Sequence, residues 1–111
     1  LVFLLTQSYY AALIQSGVRI YEYTPGFIHA KDYLSDDKVA VVGTINMDYR
    51  SLYLHFECGV YFYDCDAVMD VKKDFIETFP LCREIGLDYC RKRSVFIRCF
   101  QCILRLLAPL L

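Results

Sequence analysis

The sequence predicts an α/β fold, and three observations carry that expectation. Short β-branched and aromatic runs sit between turn residues, most clearly Val39-Ala40-Val41-Val42-Gly43 and Phe56 to Tyr63. Apolar residues recur at helical spacing at Val68, Val71, Phe75 and Phe79. The composition, 57% hydrophobic and 23% charged over 111 residues, suits one small domain or part of a larger one and excludes a disordered chain.

Taken in order, Leu1 to Leu5 is an apolar, strand-like run, and residues 7–16 form a helix that Gly17 caps. Val18 to Tyr23 alternates as a strand, and Thr24-Pro25-Gly26 turns the chain. A second strand covers 27–34, and Ser35-Asp36-Asp37-Lys38 is a turn. Residues 38–43 form a third strand, read as buried on both faces, and 44–54 a loop or one helical turn. A fourth strand at 56–63 and a helix at 64–79 follow, the helix ended by Pro80. A last helix covers 91–107, with Pro109 as its stop and a polar stripe of Arg91, Ser94, Arg98, Gln101 and Arg105. The expected architecture is a mixed β-sheet of the four strands flanked by three helices. The short 35–38 turn makes its central pair an antiparallel hairpin.

Net charge is −1, yet it is unevenly spread. Residues 1–79 carry −5 and residues 80–111 carry +4. The acidic part argues against a nucleic-acid groove. The basic, apolar last helix is expected either to pack as a core helix or to touch an anionic lipid surface. Residues 1–18 are uncharged, but Thr6, Gln7, Ser8, Gln15, Ser16 and Gly17 interrupt them. A helix therefore fits better than a membrane span. No basic segment precedes the apolar start, which argues against a signal peptide. The missing initial Met suggests a piece of a longer protein. Six cysteines, including the lone Cys99-Phe100-Gln101-Cys102 pair, are expected to be reduced and to behave as small apolar residues, with no metal site.

The chemistry concentrates between His29 and Glu57. On a strand, His29 and Lys31 would share a face. An imidazole beside an ammonium there suits an anionic oxygen, with Lys31 as point charge and His29 as nucleophile or general acid. Gly43 permits close backbone approach, and Thr44 and Asn46 offer hydrogen bonds to the same oxygens. Glu57 either orients the His29 ring or makes a local ion pair. Asp36 could serve turn chemistry alone. Asp48, Tyr49 and Arg50 either contact a headgroup or begin a helix. His55 has no assigned role.

The pattern HxKxxxxD, six residues, then GTxN (His29, Lys31, Asp36, Gly43, Thr44 and Asn46) resembles the signature of the phospholipase D superfamily. Thr44 replaces the commoner Ser and keeps the hydroxyl. Gly17 to Tyr23, Pro25 to Lys31, Val42 to Ser51 and the tail Arg105 to Leu111 are similar to the C-terminal catalytic half of bacterial cardiolipin synthases. The resemblance implies that 1–111 is a partial phospholipase D-like domain with one of two motifs. It implies a phosphatidyltransferase that makes cardiolipin and glycerol from two phosphatidylglycerol molecules through a phosphohistidine. His29, Lys31 and Asp36 would be catalytic, Lys31, Thr44 and Asn46 phosphate-binding, and Glu57 the orienting carboxylate. The family's role for Asp36 looks like support across the interface between motifs. The resemblance implies no metal and no organic cofactor. Its implied partners are the membrane surface and either the other HxKxxxxD half or a second copy, with no nucleic acid. The intact enzyme would sit at the bacterial inner membrane, anchored by upstream helices, and the isolated piece would be weak or inactive.

Two other classes compete: a hydrolase of the same superfamily, phospholipase or nuclease, with water as acceptor, and a non-catalytic structural half. Loss of turnover on substituting His29, with the fold intact, separates catalysis from the last.

Overall fold

The computed structural model describes residues 2–92, 94–106 and 108. The elements run α1 (Val2–Ser8), α2 (Tyr10–Gln15), β1 (Ile20–Tyr23), β2 (Lys31–Ser35), β3 (Val39–Gly43), α3 (Tyr49–Tyr53), β4 (Gly59–Tyr63) and α4 (Asp66–Thr78). A single 3-10 turn at Phe79–Leu81 leads to β5 (Cys82–Ile85), α5 (Leu87–Arg91) and α6 (Val95–Leu106). The fold is α/β, and its residues form two compact units. One holds the chain up to Glu22 and again from Glu84, and the other holds Tyr23–Arg83.

The Tyr23–Arg83 unit is built on the antiparallel sheet β2-β3-β4. Ser35 accepts a backbone hydrogen bond from Lys38 at 3.0 Å, closing the expected hairpin. Asp36 and Asp37 both take positive φ (51° and 56°), the pair of left-handed residues that matches strand twist in a two-residue turn. Asp37 also pairs with Lys72 of α4. That helix lies against all three strands. Val68 on its inner face and Ala40 at the sheet centre are almost completely buried. A small residue at 40 leaves room for a helix to approach. Phe79, expected on that apolar face, is instead part of the 3-10 turn and exposed, because Pro80 breaks the helical ladder there.

In the other unit, α2 ends as the sequence predicts. Gly17 takes φ 89°, with Gly17 N donating to Ile14 O and Val18 N to Leu13 O, a Schellman cap. The core holds Leu5, Tyr10, Ile85 and Leu104 together with two buried glutamines, Gln7 and Gln101. Each amide is engaged: Gln7 donates to Glu22 Oε1 at 3.1 Å and Gln101 to Leu4 O at 3.0 Å. Buried amides with partners cost little, whereas unpaired ones cost kilocalories.

Several expectations need correction. The strand at Ile20–Tyr23 does not join the other three but pairs with β5, a strand the sequence reading passed over. Val2–Ser8 is helical rather than a strand end, since five apolar residues without alternation fit either state. The predicted 91–107 helix is α6, which starts only at Val95, Arg91 being the last residue of the separate α5, and Pro109, its expected stop, lies outside the described residues. The strand at 38–43 is not buried on both faces, because Val42 is exposed. All six cysteines are free, but Cys58, Cys65, Cys99 and Cys102 are exposed and not core residues.

At the end of β3, Gly43 faces Gly59 of β4. A Cβ on Gly43 would stand 2.3 Å from Cys58 O and 2.6 Å from Gly59 Cα, closer than any carbon can pack. Gly43→Ala should therefore cost about 1–3 kcal/mol, as overpacking does. A lowered urea midpoint checks this, and an unchanged one would show that β4 yields.

Candidate active site

Strand register assembles the motif. Lys31 lies opposite Gly43, and Gly43 opposite Gly59. The segments 27–30, 44–48 and 56–58 therefore emerge at one end of the sheet. His29, Lys31, Thr44, Asn46 and Glu57 all come to that end. Asp36 does not: it sits in the hairpin turn, roughly 15 Å along the strand at ordinary strand rise. Its carboxylate accepts from the Ser35 hydroxyl at 3.1 Å.

His29 precedes β2 rather than lying on it, a second boundary correction. Pairing on β2 begins at Lys31 because β3 ends opposite it, and Thr44 N turns to Cys58 O at 2.9 Å. Alternation therefore does not bring the two side chains together, but a direct contact does. Lys31 Nζ lies 2.7 Å from His29 Nδ1 and 2.5 Å from His29 O. An ammonium has only donors, so Nδ1 accepts and Nε2 carries the ring proton. His29 is exposed, with the Phe27 ring tilted beside it at 5.9 Å.

A polar network holds the rest. Thr44 Oγ1 donates to Glu57 Oε2 in a short hydrogen bond and accepts from Cys58 N at 3.1 Å. Asn46 Nδ2 donates to Ser51 Oγ at 3.3 Å, and Ser51 in turn hydrogen-bonds Glu57. The Thr44 and Ser51 hydrogen bonds, in that order of weight, hold the Glu57 carboxyl below the usual carboxylate range, against opposing burial and the Asp48 charge. Glu57 is thus engaged by Thr44 and Ser51 rather than by His29 or an ion-pair partner. Asp48 caps α3, its Oδ1 accepting from Ser51 N at 2.7 Å.

Two positioning residues escaped the sequence reading. Tyr33 donates from its hydroxyl to Ile45 O at 2.6 Å and so pins the Thr44–Asn46 segment. Burial, then the charges of Asp48 and Glu57, push its phenol above the usual range. Ser51 is buried and links Asn46 to Glu57. Period-two alternation put Tyr33 on the Lys31 face, and Ser51 stands three residues after a capping Asp. Both signals were readable. Among the described residues, no three His, Cys, Asp or Glu side chains gather as metal ligands.

Residues 2–79 match the family described as "Cardiolipin synthase, PLD-like domain". An uncharacterized protein of Streptococcus mutans is 48% identical over 98% of this chain and 24% of its own length. Cardiolipin synthase 1 of Bacillus anthracis is 42% identical over 96% of this chain and 21% of its own. A Geobacillus cardiolipin synthase is 38% identical over the whole chain and 22% of its own length. The chain thus spans about a fifth to a quarter of these relatives. No solved structure matches it.

A carboxyl with a lowered folded-state pKa stabilises the fold above its unfolded pKa and loses that contribution as pH falls through the folded one. For Glu57 the loss belongs on the acid side of the ordinary carboxylate range. Carbon-detected NMR should show Glu57 titrating below the ordinary glutamate range, and Thr44→Val should move it back upward. No movement would remove Thr44 as the cause.

Proposed function

Because the chain belongs to the family of cardiolipin synthase phospholipase D-like domains, we propose that it supplies one half of a phosphatidyltransferase site that makes cardiolipin from two phosphatidylglycerol molecules. The observation that carries this reading is the His29–Lys31 contact at the sheet end that also presents Thr44, Asn46 and Glu57.

A histidine of a second HxKxxxxD half attacks the phosphorus of one phosphatidylglycerol. The P–O bond to the terminal glycerol breaks as an N–P bond forms. As an imidazolium, His29 gives its Nε2 proton to the departing glycerol oxygen and is left as the neutral ring. The hydroxyl of a second phosphatidylglycerol then loses its proton to the now neutral-acceptor Nε2 and attacks the phosphohistidine. The N–P bond breaks and cardiolipin leaves. Lys31 and Asn46, with their counterparts, stabilise the phosphoryl oxygens as charge develops, and Thr44 adds a further polar group at that edge. Glu57 keeps its charge and orients Thr44 and Ser51, which holds the Asn46 amide. Asp36, at the far end of the hairpin, supports the contact with the second half.

That second half is another segment of a longer protein or another copy of this chain. Coverage of only a fifth of the relatives' length supports the former. Placement at a bacterial inner membrane follows from the substrate. Among the described residues no helix is long and apolar enough to cross a membrane. The exposure of His29 makes water the competing acceptor, the hydrolase reading.

The test is product identification by mass spectrometry after incubating full-length protein with phosphatidylglycerol vesicles. Cardiolipin plus glycerol is expected, and His29→Ala should lower the rate by about 10²–10⁴-fold, the weight of a general acid–base group. The 111-residue chain alone should turn over weakly or not at all. Phosphatidic acid as the product would establish water as acceptor, and turnover unchanged in the His29 variant would sink the catalytic assignment.

A further inference from the structure

Helix α6 is packed inside out for a helix in water. Its buried positions include Gln101, whose amide is spent on Leu4 O, alongside Leu104. Its exposed apolar side chains include Val95, Phe96, Ile97, Phe100, Ile103 and Leu106, with Phe96 87% and Leu106 80% exposed. At 100° per residue all of these but Ile97, which lies on the Gln101 side, share one broad face. Arg98 and Arg105 lie along one flank of that face, between it and the buried side.

The same flank opens into a cavity of about 200 Å³ within this unit. Gln7, Ser8, Gln101, Cys102 and both arginines line it, and no acidic side chain does. Glu22 accepts a hydrogen bond from the Gln7 amide at 3.1 Å. Arg105 is fixed in place: Nε donates to Ser8 Oγ at 2.9 Å, another nitrogen donates to Ser8 O, and the guanidinium sits 4.6 Å from the Tyr9 ring centroid. Arg98 is exposed at the mouth. Two guanidiniums beside an unpartnered apolar face fit one ligand class, a phosphodiester carrying hydrocarbon chains.

We propose that this cavity binds the headgroup phosphate of an anionic phospholipid, with α6 lying along the membrane surface and its exposed apolar face among the acyl chains. Charge complementarity argues for this occupant over a protein surface. Residues 80–111 carry six basic and two acidic side chains, and anionic leaflets attract such segments. The proposal goes beyond the catalytic one and is read without turnover.

Vesicle flotation of the 111-residue chain tests it, with circular dichroism of every variant as the folding control. Phosphatidylcholine vesicles containing phosphatidylglycerol should float the chain, and pure phosphatidylcholine should do so weakly. Arg98→Gln should weaken binding to the anionic vesicles about fivefold and Arg98→Glu several-fold more. Phe96→Ser with Ile103→Ser, both at exposed positions, should release the chain at least as fully. Equal binding to both vesicle types, or insensitivity to Arg98, would overturn the headgroup site. Displacement from vesicles by millimolar inorganic phosphate would mark a free-anion site instead. No flotation, with a self-associated wild type that the serine pair makes monomeric, would give the apolar face to a protein contact and end the proposal.

Discussion

The site depends on one close approach, the backbone of Gly43 against Cys58 and Gly59. A sheet register is normally a choice among slips of two residues, each of which keeps the same side chains inward. Here only a glycine fits where β3 meets β4, so the register is set by a steric exclusion rather than by side-chain preference alone. Everything chemical hangs from that point. Lys31 is paired opposite Gly43, Thr44 is the next residue, and Glu57 stands two residues before Gly59, the first residue of β4. A slip of two residues would move Glu57 about 7 Å from Thr44, beyond any hydrogen bond.

The network built on that register has a direction. Asn46 donates to Ser51, and Ser51 and Thr44 both hydrogen-bond Glu57, which accepts only. A carboxylate so held stays ionised and fixes the rotamers of its donors. The rigid end of the site is therefore the Thr44–Glu57–Ser51–Asn46 side, tied again through Tyr33 to Ile45. The reactive end, His29 with Lys31, is exposed and held mainly by its own local contact.

Much of this was legible in the residues. The hairpin, the helix at Asp66–Thr78, the Gly17 cap and the gathering of Gly43, Thr44 and Asn46 near His29 follow from local turn chemistry and spacing, which act over a few residues. The errors share a different physics. Whether Ile20–Tyr23 pairs with the other strands or with Cys82–Ile85 is decided some sixty residues away, where no local propensity reaches. The same holds for Glu57, whose partner was sought at His29 although a hydroxyl thirteen residues away was nearer in register. Asp36 shows the converse. Its place in the signature is clear, but the turn that its positive φ serves carries it to the far end of β2.

The other unit follows a rule that binary patterning does not anticipate. A polar stripe on a helix is ordinarily its wet side. In α6 that stripe is divided: Gln101 turns inward and donates to Leu4 O, while Arg98 and Arg105 remain outside. The Gln101 amide donates to a helix carbonyl in α1, and that bond offsets the cost of taking the amide out of water. With Gln101 and Leu104 facing inward, Phe96 and Ile103 on the other side face outward. An apolar face created in this way is not a packing failure, since the unit's core is closed by Leu5, Tyr10, Ile85 and Leu104.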